Sequence, residues 1–238
     1  MVSLQLYNMN RIKENGSGLA KEYDCMMVAG GSDYRAYELL RKCQKFKIPI
    51  KEVLLFDFNE RKKGNPELSK NDIDAYNSYE SSKFQITPIP CSIFDPSACL
   101  KSFDKSKLDL ADDKFAIDIS CFTKPYIFSI LKYLKEQIRF ESITAFYTEP
   151  MSYIFDKGFY HSTYGPLSVV ELPGYPGLET GTTKKILIAL LGFDGELSSF
   201  IYEQISPDEI FVVNGFPAYS PKFKDTSIIN NQRMVTNS

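Results

Sequence analysis

Three stretches of the chain repeat one pattern: a short continuous apolar run, a small or polar turn, an amphipathic stretch, and a second apolar run. In the first, Cys25-Met-Met-Val-Ala leads through Gly30-Gly-Ser-Asp33 into a helix predicted over Tyr34 to Phe46, then Val53-Leu-Leu-Phe-Asp57. In the second, Phe115-Ala-Ile-Asp-Ile119 leads through Ser120 to Thr123 into a helix over Lys124 to Gln137, then Ile143-Thr-Ala-Phe-Tyr147. In the third, Ile186-Leu-Ile-Ala-Leu-Leu191 leads through Gly192-Phe-Asp-Gly195 into a helix ending near Ile205, then Ile210-Phe-Val-Val213. The apolar runs do not alternate with polar residues, as expected of parallel strands covered on both faces. Ile127, Ile130, Leu131 and Leu134, and likewise Leu197, Phe200, Ile201 and Ile205, recur at helical spacing. Ser32 or Asp33, Thr123 and Asp194 stand where helix caps belong, and Pro125 is tolerated in a first turn.

Three strand–helix–strand units predict a Rossmann-like α/β fold, a three-layer sandwich around a mostly parallel sheet of about six strands. The expected organisation is an N-terminal segment over 1–24, one α/β domain over 25–220, and a polar tail over 221–238. Two irregular regions interrupt the domain, at 60–113 and 150–183. Within the first, Ile86-Thr-Pro-Ile-Pro90 reads as an edge strand, where proline is tolerated. Within the second, Val169-Val-Glu-Leu172 reads as a short strand beside a lip rich in tyrosine.

The composition is that of a globular protein: 238 residues, 43% hydrophobic and 24% charged. Its 28 basic and 30 acidic residues give a net charge of −2. That balance excludes a general nucleic-acid-coating protein, but not the binding of a small nucleotide by a few local donors. No signal-peptide-like apolar segment and no transmembrane-length run occur, and the five cysteines form no C-x-x-C pair. A cytoplasmic protein with reduced thiols, not associated with a membrane, is expected. The single histidine, His161, must serve in any Ser-His-Asp or Cys-His mechanism; no G-x-S-x-G elbow accompanies it. One histidine and irregular cysteine spacing leave no zinc-site pattern.

Ligands of parallel α/β sheets bind beyond the carboxyl ends of the strands. The residues predicted there are Gly30, Gly31, Ser32, Asp33 and Arg35 after the first run, and Asp57 at the end of the next. Asp118, Ser120, Thr123 and Lys124 follow, then Thr148 and Glu149, then Gly192 and Asp194, then Asn214. The glycines either let backbone N–H groups approach an anion or simply form tight turns. Neither a G-x-G-x-x-G nor a G-x-x-x-x-G-K-[ST] motif is present. Asp118 can brace loop N–H groups, Ser120 and Thr123 offer hydroxyls, and Lys124 places a cation at a helix start. The plainer reading is a threonine cap beside a solvated lysine.

Phe115-Ala-Ile-Asp-Ile-Ser-Cys-Phe-Thr-Lys124 resembles the strand-to-helix motif of CARF domains, Rossmann-like sensors of cyclic oligonucleotides in prokaryotic antiviral systems. Asp118, Ser120, Thr123 and Lys124 match that motif position by position, and Ile186 to Gly192 resembles a second ligand-lining strand and turn. Cys121-Phe122 stands where that family often carries glycines. The resemblance implies a nucleotide-type ligand, an antiviral defence role and, commonly, a homodimer. Some single-domain members degrade their ligand, so it leaves enzymatic activity open.

Two further readings stand beside this one. Asp57, Asp118, Glu149 and Asp194 near strand ends suit a metal-assisted nucleotide hydrolase or transferase, although capping and loop bracing also explain them. A Tyr-rich lip of Tyr147, Tyr153, Phe155, Phe159, Tyr160, Tyr164 and Tyr175 suits a non-catalytic subunit that docks a partner protein. The basic run Arg41, Lys42, Lys45, Lys47 and Lys51 reads as a solvated helix face. No cofactor is identifiable from the sequence.

Overall fold

A computed structural model describes residues 16, 18–30, 33–58, 85–96, 114–137, 143–150, 169, 171, 172, 174, 175, 177, 182–215 and 221–237. The chain divides into two compact units, Met1–Pro150 with Leu172–Gly174, and Met151–Glu171 with Tyr175–Ser238.

In the first unit, β1 (Tyr23–Ala29) is followed by a 3₁₀ turn (Tyr34–Tyr37) and α1 (Glu38–Lys45). β2 (Ile50–Phe58), β3 (Gln85–Cys91), β4 (Phe115–Asp118), α2 (Lys124–Gln137) and β5 (Ile143–Phe146) complete it. The five strands form one sheet in the order β3-β2-β1-β4-β5, and every pairing is parallel. Five strands in this sheet, rather than about six, make the Rossmann-like α/β unit.

The continuous apolar run of β1 has the origin expected of it. Cys25, Met27 and Ala29 face one core, packed with Phe122, Tyr126, Ile130 and Leu134 around α2. Met26 and Val28 face the other, packed with Leu39, Leu40 and Cys43 of α1. Because side chains alternate across a strand, one apolar run supplies both cores. Near α2, Phe56 and Phe58 meet Phe122 and Tyr126 edge to face, the Phe58–Tyr126 centroids lying 4.8 Å apart. The Tyr126 hydroxyl donates to the Ser92 carbonyl at 2.5 Å, tying α2 to the end of β3.

Pro88 and Pro90 sit in β3, which is an edge strand as expected. They are two residues apart and therefore share one side of the strand, opposite Leu55 and Asp57 in register. A residue without an N–H is tolerated only where the ladder does not require one.

In the second unit, β6 (Ile186–Leu190), α3 (Gly195–Ile205), β7 (Glu209–Val213), α4 (Pro221–Asn230) and α5 (Gln232–Val235) follow in order. β6 and β7 pair in parallel as a separate two-stranded sheet, so the third strand–helix–strand unit does not hydrogen-bond into the five-stranded sheet. Ile186, Ile188, Leu190, Phe211 and Val213 are exposed, Leu190 to 79%, so one face of this ladder is open, unlike the buried runs of β1. Residues 221–235, expected as part of a polar tail, are largely helical. Val169, Glu171 and Leu172 are irregular where a short strand was expected. No helix among the described residues is long and apolar enough to cross a membrane.

Candidate functional site

After β1 the chain crosses through α1 to β2, and after β4 it crosses through α2 to β5. These strands lie on opposite sides of the β1–β4 pair, which makes the carboxyl ends of β1 and β4 the topological switch point. α1 packs on one face of the sheet there and α2 on the other.

On the β4 side, Asp118 closes the strand and is almost wholly buried, 2% exposed. Its Oδ1 accepts from the Ser120 backbone N–H at 3.0 Å and from the Ser120 hydroxyl. Its Oδ2 is buried without a hydrogen-bond partner. Burial pushes the Asp118 carboxyl up to about 6, against the opposing pull of the Ser120 hydrogen bonds and the Arg35 charge; Glu38 adds a small further rise. Ser120 Oγ in turn accepts from the Thr148 backbone N–H at 2.8 Å, so one hydroxyl joins the ends of β4 and β5. Thr123 Oγ1 is also buried and without a partner. The Thr123 carbonyl accepts from the Ile127 N–H at 3.2 Å, the first helical bond of α2. Lys124 opens α2 with its side chain exposed.

On the β1 side, Asp33 caps the 3₁₀ turn by accepting from the Arg35 backbone N–H at 3.0 Å. The same carboxylate takes the Arg35 Nε–H at 3.0 Å and an Nη2–H at 2.6 Å. That hydrogen-bonded pair raises the pKa of Arg35, whose charge also reaches Cys121 after β4 and Tyr147 after β5.

The structure therefore brings together Asp33, Arg35, Asp118, Ser120 and Thr148, with Thr123 and Lys124 at the start of α2. Gly30 differs from expectation. Its N–H donates to the Phe56 carbonyl at 2.8 Å and is committed to the β1–β2 ladder, not offered to an anion. A Cβ there would stand 3.2 Å from the Phe56 carbonyl oxygen, so close backbone approach explains this glycine. Gly31 and Ser32 lie outside the described residues, as do His161 and the lip residues Tyr153, Phe155, Phe159, Tyr160 and Tyr164. Asp57 lies within β2, opposite Pro90 in register, and Glu149 is exposed. Tyr147 and Tyr175 are exposed.

Gly192, Asp194 and Asn214 belong to the second unit. There Asp194 caps α3 by accepting from the Leu197 N–H at 3.1 Å. The Gly192 carbonyl accepts from Ser227 Oγ at 3.1 Å and Asn231 Nδ2 at 2.8 Å. Asn230 Nδ2 donates to the Phe193 carbonyl at 2.7 Å. Asn214 Nδ2 reaches the Lys224 carbonyl at 3.5 Å. These contacts brace a turn; none of them presents a backbone N–H to a ligand.

No group of three or more His, Cys, Asp or Glu side chains among the described residues is arranged to hold a metal. Cys43 is a buried thiol pushed up to about 12 by desolvation, which leaves it protonated and unreactive at neutral pH. In the basic run, Arg41 and Lys42 pair with Glu38, and Lys51 pairs with Asp24. The residues that the sequence did not place at the site are Glu38 and Cys121, which act electrostatically on Asp118 and Arg35 respectively, and neither carries a local motif. Comparison with known proteins finds no family model that matches the chain and no matching curated protein.

Proposed function

We propose that this protein binds a nucleotide-type anion beyond the carboxyl ends of β1 and β4. Together with the CARF resemblance of Asp118, Ser120, Thr123 and Lys124, this makes it a sensor of a cyclic-oligonucleotide-type signal in a prokaryotic defence system. The observation that supports the reading best is the half-buried Asp118–Ser120–Thr148 linkage at the switch point. It ties the ends of β4 and β5, with the cation Arg35 following β1 and the cation Lys124 opening α2 after β4. A fixed set of polar loops at a switch point is where α/β sheets hold small anionic ligands.

A thermal-shift screen with AMP, ATP, cyclic AMP, cyclic di-AMP and cyclic tri-AMP tests the reading. A ligand at about a hundred times its Kd stabilises the folded state by about 2.7 kcal/mol. At least one panel member is expected to raise the melting temperature and to remain intact after long incubation with and without Mg²⁺. Absence of any shift refutes ligand binding. Steady breakdown of the bound nucleotide replaces the sensor with a hydrolase.

A further inference from the structure

We propose that Arg35, held in place by Asp33, is the residue that grips the ligand's phosphate from the β1 side of the switch point. The inference rests on the nucleotide-binding reading and adds the residue that would orient the anion.

A guanidinium carries five N–H donors in a planar fork. Asp33 engages only one edge of it, through Nε–H and one Nη2–H. Among the described residues, no hydrogen bond is found for the other three N–H groups, both of Nη1 and the second of Nη2. The side chain is mostly covered, 19% exposed, so it is not a freely waving surface arginine. Its backbone N–H is fixed by the Asp33 cap, and its head is fixed by the Asp33 carboxylate. The order of entropy that a long side chain loses on binding is therefore already partly spent in the ligand-free protein.

Position is the second argument. The Arg35 charge reaches Asp118 at the end of β4, Cys121 in the loop that follows, and Tyr147 after β5. It thus lies within electrostatic reach of residues that end or follow β4 and β5. A planar, partly desolvated cation with unused donors suits bidentate contact with a phosphate better than a solvated ammonium does. Lys124, exposed at the start of α2, supplies a second, flexible charge from the other side.

Asp33 acts on the ligand only through Arg35 and is a positioning residue. Asparagine at this position keeps the oxygen that caps the turn and removes the charge that holds the guanidinium.

The test is calorimetric titration of the same five nucleotides into wild type, Arg35→Ala, Arg35→Lys, Asp33→Asn and the Asp33→Asn, Arg35→Ala double variant at constant ionic strength. Arg35→Ala is expected to weaken binding by at least about tenfold, the scale of a lost charge-assisted contact. Arg35→Lys keeps the charge without the fork and remains several-fold weaker than wild type; it carries the test if Arg35→Ala does not fold. Asp33→Asn is expected to weaken binding several-fold in the wild-type background and to add nothing in the Arg35→Ala background, a dependence on Arg35 that general structural damage would not show. Binding within twofold of wild type in both Arg35 variants overturns the role of Arg35 and leaves nucleotide binding standing. Unchanged or tighter affinity in Asp33→Asn, or equal weakening with and without Arg35, overturns the role of Asp33. A wild type that binds none of the five overturns both this inference and the function it rests on.

Discussion

Replacing Asp118 by asparagine separates the cost of burying a charge from every other contribution to stability. The wild-type carboxyl titrates at about 6 in the folded protein against 3.8 for the unperturbed group. Because the folded pKa is raised, the protonated carboxyl favours folding. Its contribution is full below the unfolded pKa and is lost as pH rises through the folded one. Each pKa unit corresponds to about 1.36 kcal/mol, so the whole effect is about 3 kcal/mol, of which about 2–3 falls between roughly pH 4 and pH 7. Asp118→Asn keeps an oxygen for the Ser120 donors and has no such titration. Its Nδ2, standing where Oδ2 has no partner, leaves a buried donor unsatisfied, a cost of about 1–3 kcal/mol that does not vary with pH. Thermal unfolding of both proteins across this range provides the assay. The variant should gain on wild type by about 2–3 kcal/mol from pH 4 to pH 7, roughly 5–10 °C in melting temperature. A difference that stays constant with pH would refute the burial of an ionisable Asp118.

Ser120→Ala removes the hydroxyl that Thr148 N–H donates to and one of the two donors on Asp118. It should cost about 1–3 kcal/mol and raise the Asp118 pKa further, read as a shift of the acid limb in the stability–pH profile. Gly195→Ala would place a Cβ 1.7 Å from the Asn230 carbonyl oxygen, so the second unit should lose more than about 3 kcal/mol in denaturant titration. Gly192→Ala meets nothing within 4 Å and should fall within about 1 kcal/mol of wild type in the same assay.

The parts of the fold that were legible in the sequence are those in which packing leaves a periodic trace. The β1 run buries both faces, and α2 carries its apolar stripe from Tyr126 through Ile130 to Leu134, so both elements announce themselves. β1 begins two residues earlier than its apolar run because Asp24 belongs to the strand. Its carboxylate accepts from the Lys114 N–H at 2.8 Å, a partner ninety residues away. α4 left no trace because its inward residues Ser227 and Asn230, with Asn231 just beyond it, are polar and bind the carbonyls of Gly192 and Phe193. Hydrophobic periodicity cannot register a helix whose buried contacts are hydrogen bonds. The separate pairing of β6 with β7 is likewise invisible locally, since strand partners are set by tertiary context.

At the site, the cluster Asp118, Ser120 and Thr148 was legible as residue types at strand ends, and the linkage between them was not. Gly30 shows the limit from the other side. A glycine after a strand fits both an anion cradle and a close ladder contact, and only the position of Phe56 decides for the ladder. Arg35 was one of several candidates by position. Its distinction lies in Asp33, which occupies one edge of the guanidinium and leaves the other edge without a partner among the described residues.

The central claim is that the β1–β4 switch point holds a nucleotide phosphate, and calorimetric titration of the five nucleotides into wild type and Lys124→Ala tests it most directly. The account predicts a saturable one-site isotherm for at least one nucleotide, weakened by about tenfold when the Lys124 charge is removed. Binding by no member of the panel, or binding that is unchanged in Lys124→Ala, would contradict it.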